Sequence, residues 1–192
     1  MTGLRNSQLR QARRAPQIDQ LTGKERTFPD DQVIVTKTDL KGHITYANEV
    51  FQSLSSLTER ECLGAPHNLI RHPDMPRCVF DLMWKTIQDG REIFAYVLNR
   101  ATNGDHYWVH AHVTPSFNDA GEIVGYHSNR RKPERRVVQE HIIPLYAQLR
   151  AEERRHERPK QALAASTEML NSKLAELGLE YDQFVCTLGQ DH

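Results

Sequence analysis

Residues 92–114 read Glu92-Ile93-Phe94-Ala95-Tyr96-Val97-Leu98-Asn99-Arg100-Ala101-Thr102-Asn103-Gly104-Asp105-His106-Tyr107-Trp108-Val109-His110-Ala111-His112-Val113-Thr114. Two β-branched and aromatic runs, 92–99 and 106–114, flank an Asn-Gly turn, which is the signature of an antiparallel hairpin. A third run, 123–130, follows a second turn at 118–121. Side chains alternate across a strand, so Tyr107, Val109, Ala111 and Val113 share one face, and His106, Trp108, His110 and His112 the other. The apolar face is expected to look inward. The histidine face is expected to look outward, toward a flanking helix or a partner. Three imidazoles at two-residue spacing also suit a transition metal, but no cysteine or carboxylate joins them.

Upstream lie two shorter strand signals, 32–36 and 43–46, joined by a turn at Asp39-Leu40-Lys41-Gly42. A short helix is expected at 49–56 after Asn48. A longer one is expected at 78–88, where Val79, Leu82, Met83 and Ile87 recur at helical spacing and Gly90 gives the stop. The order strand, strand, helices, three strands gives an α+β fold: a five-stranded antiparallel sheet with helices on one face. Between sheet and helices lies the natural place for a planar ligand.

The loop before the long helix carries the chemistry. It reads Gly64-Ala65-Pro66-His67-Asn68-Leu69-Ile70-Arg71-His72-Pro73-Asp74-Met75-Pro76. Pro73 and Pro76 restrain the backbone around a fixed cation, an imidazole and a carboxylate. Such a set can orient a small polar ligand. It also reads as a helix start, with Asp74 as N-cap and Pro76 at the first helical position.

Taken in order, Thr38 to Asn48 with Phe51, this loop, Asn99-Arg100, the run from Asn103 to Val109, and Gly121 to Tyr126 resemble a PAS sensor domain. The loop and the Asn-Gly-Asp-His-Tyr-Trp run are similar to the type found at the front of bacterial aerotaxis receptors. The resemblance covers about residues 30–133. It implies non-covalent FAD, redox sensing and no catalysis. Arg71, His72 and Asp74 match the motif that supports FAD in that type. Asn48 and Asn99 match polar positions able to meet the ring edge or the pyrophosphate, and His67 lies in the same loop. Two positions depart from the type: Ile93 stands where a Trp is usual, and Thr102 where a Lys is common. Phe94 cannot replace that Trp, because a shift of one residue turns a strand side chain to the other face.

Rival readings stay open. Haem needs an axial histidine, usually from the long helix, and 78–88 contains none. A small flavin reductase lacks support from any dinucleotide fingerprint. A cofactor-free interaction module is the third.

The rest of the chain bounds these readings. Basic and acidic residues balance at 25 each among 192 residues, which gives no push toward nucleic acid. No apolar run approaches the roughly 18 residues of a membrane span. The three cysteines lack metal-ligand spacing and are an odd number for a disulfide framework, so a cytoplasmic setting is expected. Three regions follow: a helical or flexible extension (1–29) with a cationic helix at 4–14, the sensor-like domain (30–132) and a helical tail (133–192). Apolar stripes in the tail, from Ile142 to Leu149 and from Leu163 to Leu188, need a surface to cover. That surface is expected to be the outer sheet face, within a homodimer, with an unidentified signalling protein as partner.

Overall fold

A computed structural model describes residues 20–188. The expected helix at 4–14 lies outside the described residues. Five strands form one sheet: β1 (Ile34–Thr38), β2 (Ile44–Ala47), β3 (Ile93–Arg100), β4 (His106–Phe117) and β5 (Ile123–Arg131). Their order is β2-β1-β5-β4-β3, and every pairing is antiparallel. Helices α1 (Glu49–Ser55), α2 (Glu59–Cys62) and α3 (Arg77–Gln88) connect β2 to β3. The α+β architecture is the one the strand periodicity implies. Boundaries move by one to three residues because alternation marks a strand's middle better than its ends.

Register fixes the faces. Ala111 sits opposite Arg130 and Ala95, and Val113 opposite Ser128 and Ile93. Ile34, Ala95, Tyr107, Val109 and Ala111 are fully buried on the inner face. The β3 edge is not left open. Arg71 bridges Asn99, the His72 N–H donates to the Leu98 carbonyl at 3.4 Å, and the Leu98 N–H meets Met75 Sδ at 3.5 Å. The proline-bounded loop therefore runs along an edge strand, where unpaired backbone would otherwise invite aggregation.

The tail returns to the outer face of the same chain. Helix α4 (Arg135–Val137) continues through a π-turn (Val138–Ile142) into α5 (Ile143–Arg154). The helix runs through Pro144, because widening the preceding turn accommodates a residue that lacks an N–H and crowds the carbonyl four residues back. Tyr146 on α5 donates from its hydroxyl to the Tyr96 carbonyl at 2.6 Å, and its ring lies 6.0 Å from that of Trp108. Helix α6 (Pro159–Leu177) packs back on α3 and α5, ending at Gly178 with φ 65°. Helix α7 (Tyr181–Thr187) lies on β3, where Asp182 accepts from the Phe94 N–H at 3.4 Å.

Asp74 does not cap α3. Pro76 is the N-cap residue and has no side chain able to accept. The acceptor comes from the tail: Glu153, nearly fully buried, takes the Arg77 N–H at 2.6 Å. Residues 22–26 are tied to the β3–β4 hairpin through Asp105, whose carboxylate accepts from Thr22, Arg26 and Asn103. Those bonds hold it well below the usual carboxylate range.

Among the described residues no helix is long and apolar enough to cross a membrane.

Candidate ligand-binding site

The inner sheet face and α3 enclose a cavity of about 70 Å³. Thr36 and Thr38 from β1, Val97 and Asn99 from β3, Ala111 and Val113 from β4, and Tyr126, Ser128 and Arg130 from β5 form the floor. Phe80, Met83, Trp84 and Ile87 from α3 form the roof, and His67 closes one end. The walls are apolar and the polar groups converge from the floor, the usual division between shape and orientation in a small-molecule site.

Arg130 is the central polar group. It is only 5% exposed and comes from the inward-facing row of β5. Its Nη2 donates to His67 Nε2 at 2.7 Å and to Thr36 Oγ1 at 3.0 Å. His67 Nε2 is thus an acceptor, which leaves the ring proton on Nδ1 and the imidazole neutral. Burial and the adjacent guanidinium push the His67 pKa well below its ordinary value. Burial lowers Arg130 to about 10, so it stays cationic at neutral pH. No carboxylate pairs with it among the described residues.

Buried atoms in and beside the cavity lack a partner among the described residues: Arg130 Nη1, Asn99 Nδ2 and Ser128 Oγ, whose residues line it, and the neighbouring Tyr107 OH. A buried unsatisfied polar group costs about 1–3 kcal/mol. Four in one neighbourhood make a strained arrangement unless a ligand or water answers them. All four can donate. The complementary ligand has carbonyl oxygens or ring nitrogens along one edge and apolar faces above and below.

The six residues singled out in the sequence separate in space. Asn99 and His67 line the cavity. Arg71 lies 4.3 Å above the Phe80 ring, donates to the Met75 carbonyl at 3.2 Å and faces an adjoining cleft. His72 is buried at the β3 edge, where Nδ1 accepts from the Asp74 N–H at 3.1 Å and the ring meets His106 edge-on. The Asp74 carboxylate is exposed and pairs with Arg154 at 3.3 Å. Asn48 caps α1: Oδ1 accepts from Phe51 and Val35 N–H groups while Nδ2 donates to the Val33 carbonyl. His72, Asp74 and Asn48 line neither space, because their polar atoms are turned to backbone or solvent. Arg130, Ser128, Thr36 and Trp84 escaped the sequence reading. The two-residue period from Tyr126 through Ser128 to Arg130 was the available signal.

The adjoining cleft, about 470 Å³, shares His67, Phe80 and Trp84 with the cavity. Trp84 stands between them, beside His67 and Phe80. It stands edge-on to Tyr126 at 5.5 Å. Behind it lies Gly42, at φ 79°, where a Cβ would meet the indole at 2.9 Å.

Ile93 points inward and is buried, while Phe94 lies on the outer face, stacked on His112 at 4.2 Å. His110 stacks on Tyr96 at 4.8 Å, and His112 pairs with Glu92 at 2.7 Å. These imidazoles serve as outer-face packing, and no group suited to a metal ion occurs among the described residues.

Comparison with known proteins agrees with this geometry. A family model described as PAS fold matches residues 32–128. The aerotaxis receptor of Escherichia coli (strain K12) is 41% identical over 134 residues, covering 68% of this chain and 26% of the receptor. The nitrogen fixation regulatory protein of Klebsiella pneumoniae is 28% identical over 99 residues, covering 52% of this chain and 20% of that protein. The chain thus spans about a quarter or less of the length of these relatives. Among solved structures, a light-oxygen-voltage domain studied with a flavin analogue superposes with TM-score 0.54 at 18% identity, covering 61% of this chain and 89% of that one. The light state of the blue-light photoreceptor Aureochrome1 LOV gives 0.53 at 20%, covering 58% and 89%. At such identity these two speak for the fold alone. The sheet order, the cavity between sheet and α3, and the matched span together place the chain: it belongs to the PAS fold family, with the aerotaxis receptor among its similar relatives.

Proposed function

We propose that this chain is a non-catalytic redox sensor that binds FAD non-covalently and signals through its flanking helices. The carrying observation is the donor-rich floor, with Arg130, Asn99 and Ser128 offering unanswered donors inside an apolar cavity. A flavin ring has apolar faces and an acceptor edge of the matching kind. When bound, it supplies a redox change that alters charge and hydrogen bonding at that edge. Arg130, held by His67 and Thr36, is placed to feel the change.

The cavity is smaller than the roughly 300 Å³ of a typical ligand site. Entry of the ring therefore requires Phe80, Met83 and Trp84 to swing toward the cleft, and all three are only partly buried. The adjoining cleft favours FAD over FMN, since it offers room and cations for a longer phosphate arm. The relationship to an aerotaxis receptor supports redox signalling with a protein partner, a cytoplasmic setting and a homodimer as parts of the same reading.

The small cavity also favours a second reading, a cofactor-free PAS module. The absorption spectrum of freshly purified protein, followed by addition of FAD, separates the two. A two-banded flavin spectrum, weakened at least about tenfold in affinity by Arg130→Met, is expected. A colourless protein that takes up no FAD would leave the interaction module. A Soret band would point to haem, and rapid oxidation of added NADH to a reductase.

A further inference from the structure

We infer that the C-terminal helix α6 is part of the ligand site: with Lys160 it closes a basic cleft that takes the phosphate arm of a dinucleotide, so that ligand binding and tail docking form one equilibrium. The inference rests on the flavin reading above and adds the tail to it.

The cleft has two walls. One carries Lys41, Arg71 and Arg77, from the β1–β2 turn, the proline-bounded loop and the start of α3. The other is α6, which contributes Pro159, Lys160 and Leu163. Four cations thus face one space. Asp81 is the carboxylate of this lining, and Lys85 holds it at 2.7 Å. Among the described residues no ion pair engages Lys41, Arg71, Arg77 or Lys160. Asp81 and the buried Glu153, which acts on Arg71 from behind and is itself paired with Arg150, offset only part of four cations, so the concavity concentrates positive potential. The arrangement suits a polyanion. Two linked phosphates match a guanidinium fork flanked by ammonium groups.

His67, Phe80 and Trp84 line both the cleft and the inner cavity and stand between them. A ring on the cavity floor, seated once Phe80 and Trp84 swing aside, would send its phosphate arm into the cleft. The α6 wall is firmly placed. Glu153 joins the start of α3 to α6 by accepting from the Arg77 N–H at 2.6 Å and from Ser166 Oγ at 3.2 Å. A ligand that spans both walls adds an ionic contact across the same junction. By linkage, whatever it adds to tail docking, tail docking returns to its affinity. The outer sheet face under α5 and α7 then communicates with the cavity through the tail as well as through the sheet.

The test uses the full chain and a series of flavins that differ only in the arm. Riboflavin has no phosphate, FMN has one, and FAD has two plus adenosine. Lys160 is exposed, so Lys160→Glu is expected to fold normally. It should weaken FAD at least about tenfold, weaken FMN less and leave riboflavin unchanged. Lys41→Glu, on the opposite wall, should follow the same order. In wild type, FAD should slow amide exchange in peptides spanning 159–170 and riboflavin should not, and Lys160→Glu should abolish that protection. Equal effects on FAD and riboflavin, or no effect on either, would overturn the inference while leaving the flavin reading standing. If wild type takes up no flavin, the flavin reading falls, and inorganic pyrophosphate decides the cleft. Protection of 159–170 by pyrophosphate, lost in Lys160→Glu, sustains the site. No protection removes it.

Discussion

Glu153→Ala should loosen the clasp between tail and sensor domain. In the native structure this buried carboxylate takes three donors: the Arg77 N–H at 2.6 Å, Ser166 Oγ at 3.2 Å and Arg150 Nη1 at 2.5 Å. Removing it strips α3 of the side-chain acceptor for its first N–H, a loss of about 1 kcal/mol. It also leaves Arg150 without its carboxylate, although that side chain is only 18% exposed. Breaking a buried ion pair from one side costs about 3–5 kcal/mol, and the residual exposure of Arg150 places this case near the lower end. A total of about 3–4 kcal/mol is expected. Glu153→Gln keeps an oxygen for the Arg77 N–H and loses the charge, so it should cost about 1.5–3 kcal/mol. Urea unfolding followed by tryptophan fluorescence measures both, because Trp84 reports on the cavity side and Trp108 on the tail side. Hydrogen exchange should show faster opening over residues 143–177 than in the sheet. A loss below about 1 kcal/mol for the alanine variant would refute the clasp.

Further outcomes can be stated. Stability should fall as pH drops through the ordinary histidine pKa near 6.5, since His67 is held neutral in the fold and its pKa is lowered. The unfolded chain takes up that proton below its ordinary pKa near 6.5, so the stabilisation is complete above that value and is lost as pH falls. The slope is about 1.4 kcal/mol per pH unit for each such histidine, and His67→Gln should flatten it in a urea–pH series. Gly42→Ala should destabilise by about 1–2 kcal/mol, because φ 79° is strained for any other residue and the new methyl meets Trp84. A shifted Trp84 emission would accompany it. Tyr146→Phe should cost about 0.5–1.5 kcal/mol by deleting the buried bond to the Tyr96 carbonyl, with the Trp108 contact kept.

How far these features were legible depends on whether they are local. The alternation of Tyr107, Val109, Ala111 and Val113 declares a half-buried strand wherever it occurs, and an Asn-Gly turn closes a hairpin from neighbouring residues alone. The strand series and its inward face were therefore readable. The helix 78–88 was readable because its spacing is intrinsic to the helical turn. Asn99 and His67 could be marked as site residues from a motif, since motifs preserve order along the chain.

Arg130 had only the two-residue period from Tyr126 through Ser128 to mark it, and its own neighbours argue against that period. It sits in the run Asn129-Arg130-Arg131-Lys132, which reads as a solvated strand end. Only the pairing of β5 between β1 and β4 turns it inward against Thr36 and His67. Arg71, His72 and Asp74 pose the opposite case: adjacent in sequence, they diverge to a cleft, an edge strand and the solvent. The cap on α3 comes from a residue 76 positions away. By itself the sequence determined the strands, the long helix and the apolar face, because period and turn chemistry act between near neighbours. The tertiary structure decided which charges meet, because a salt link, a donor cluster or a borrowed cap depends on distances that only the paired sheet and the returning tail create.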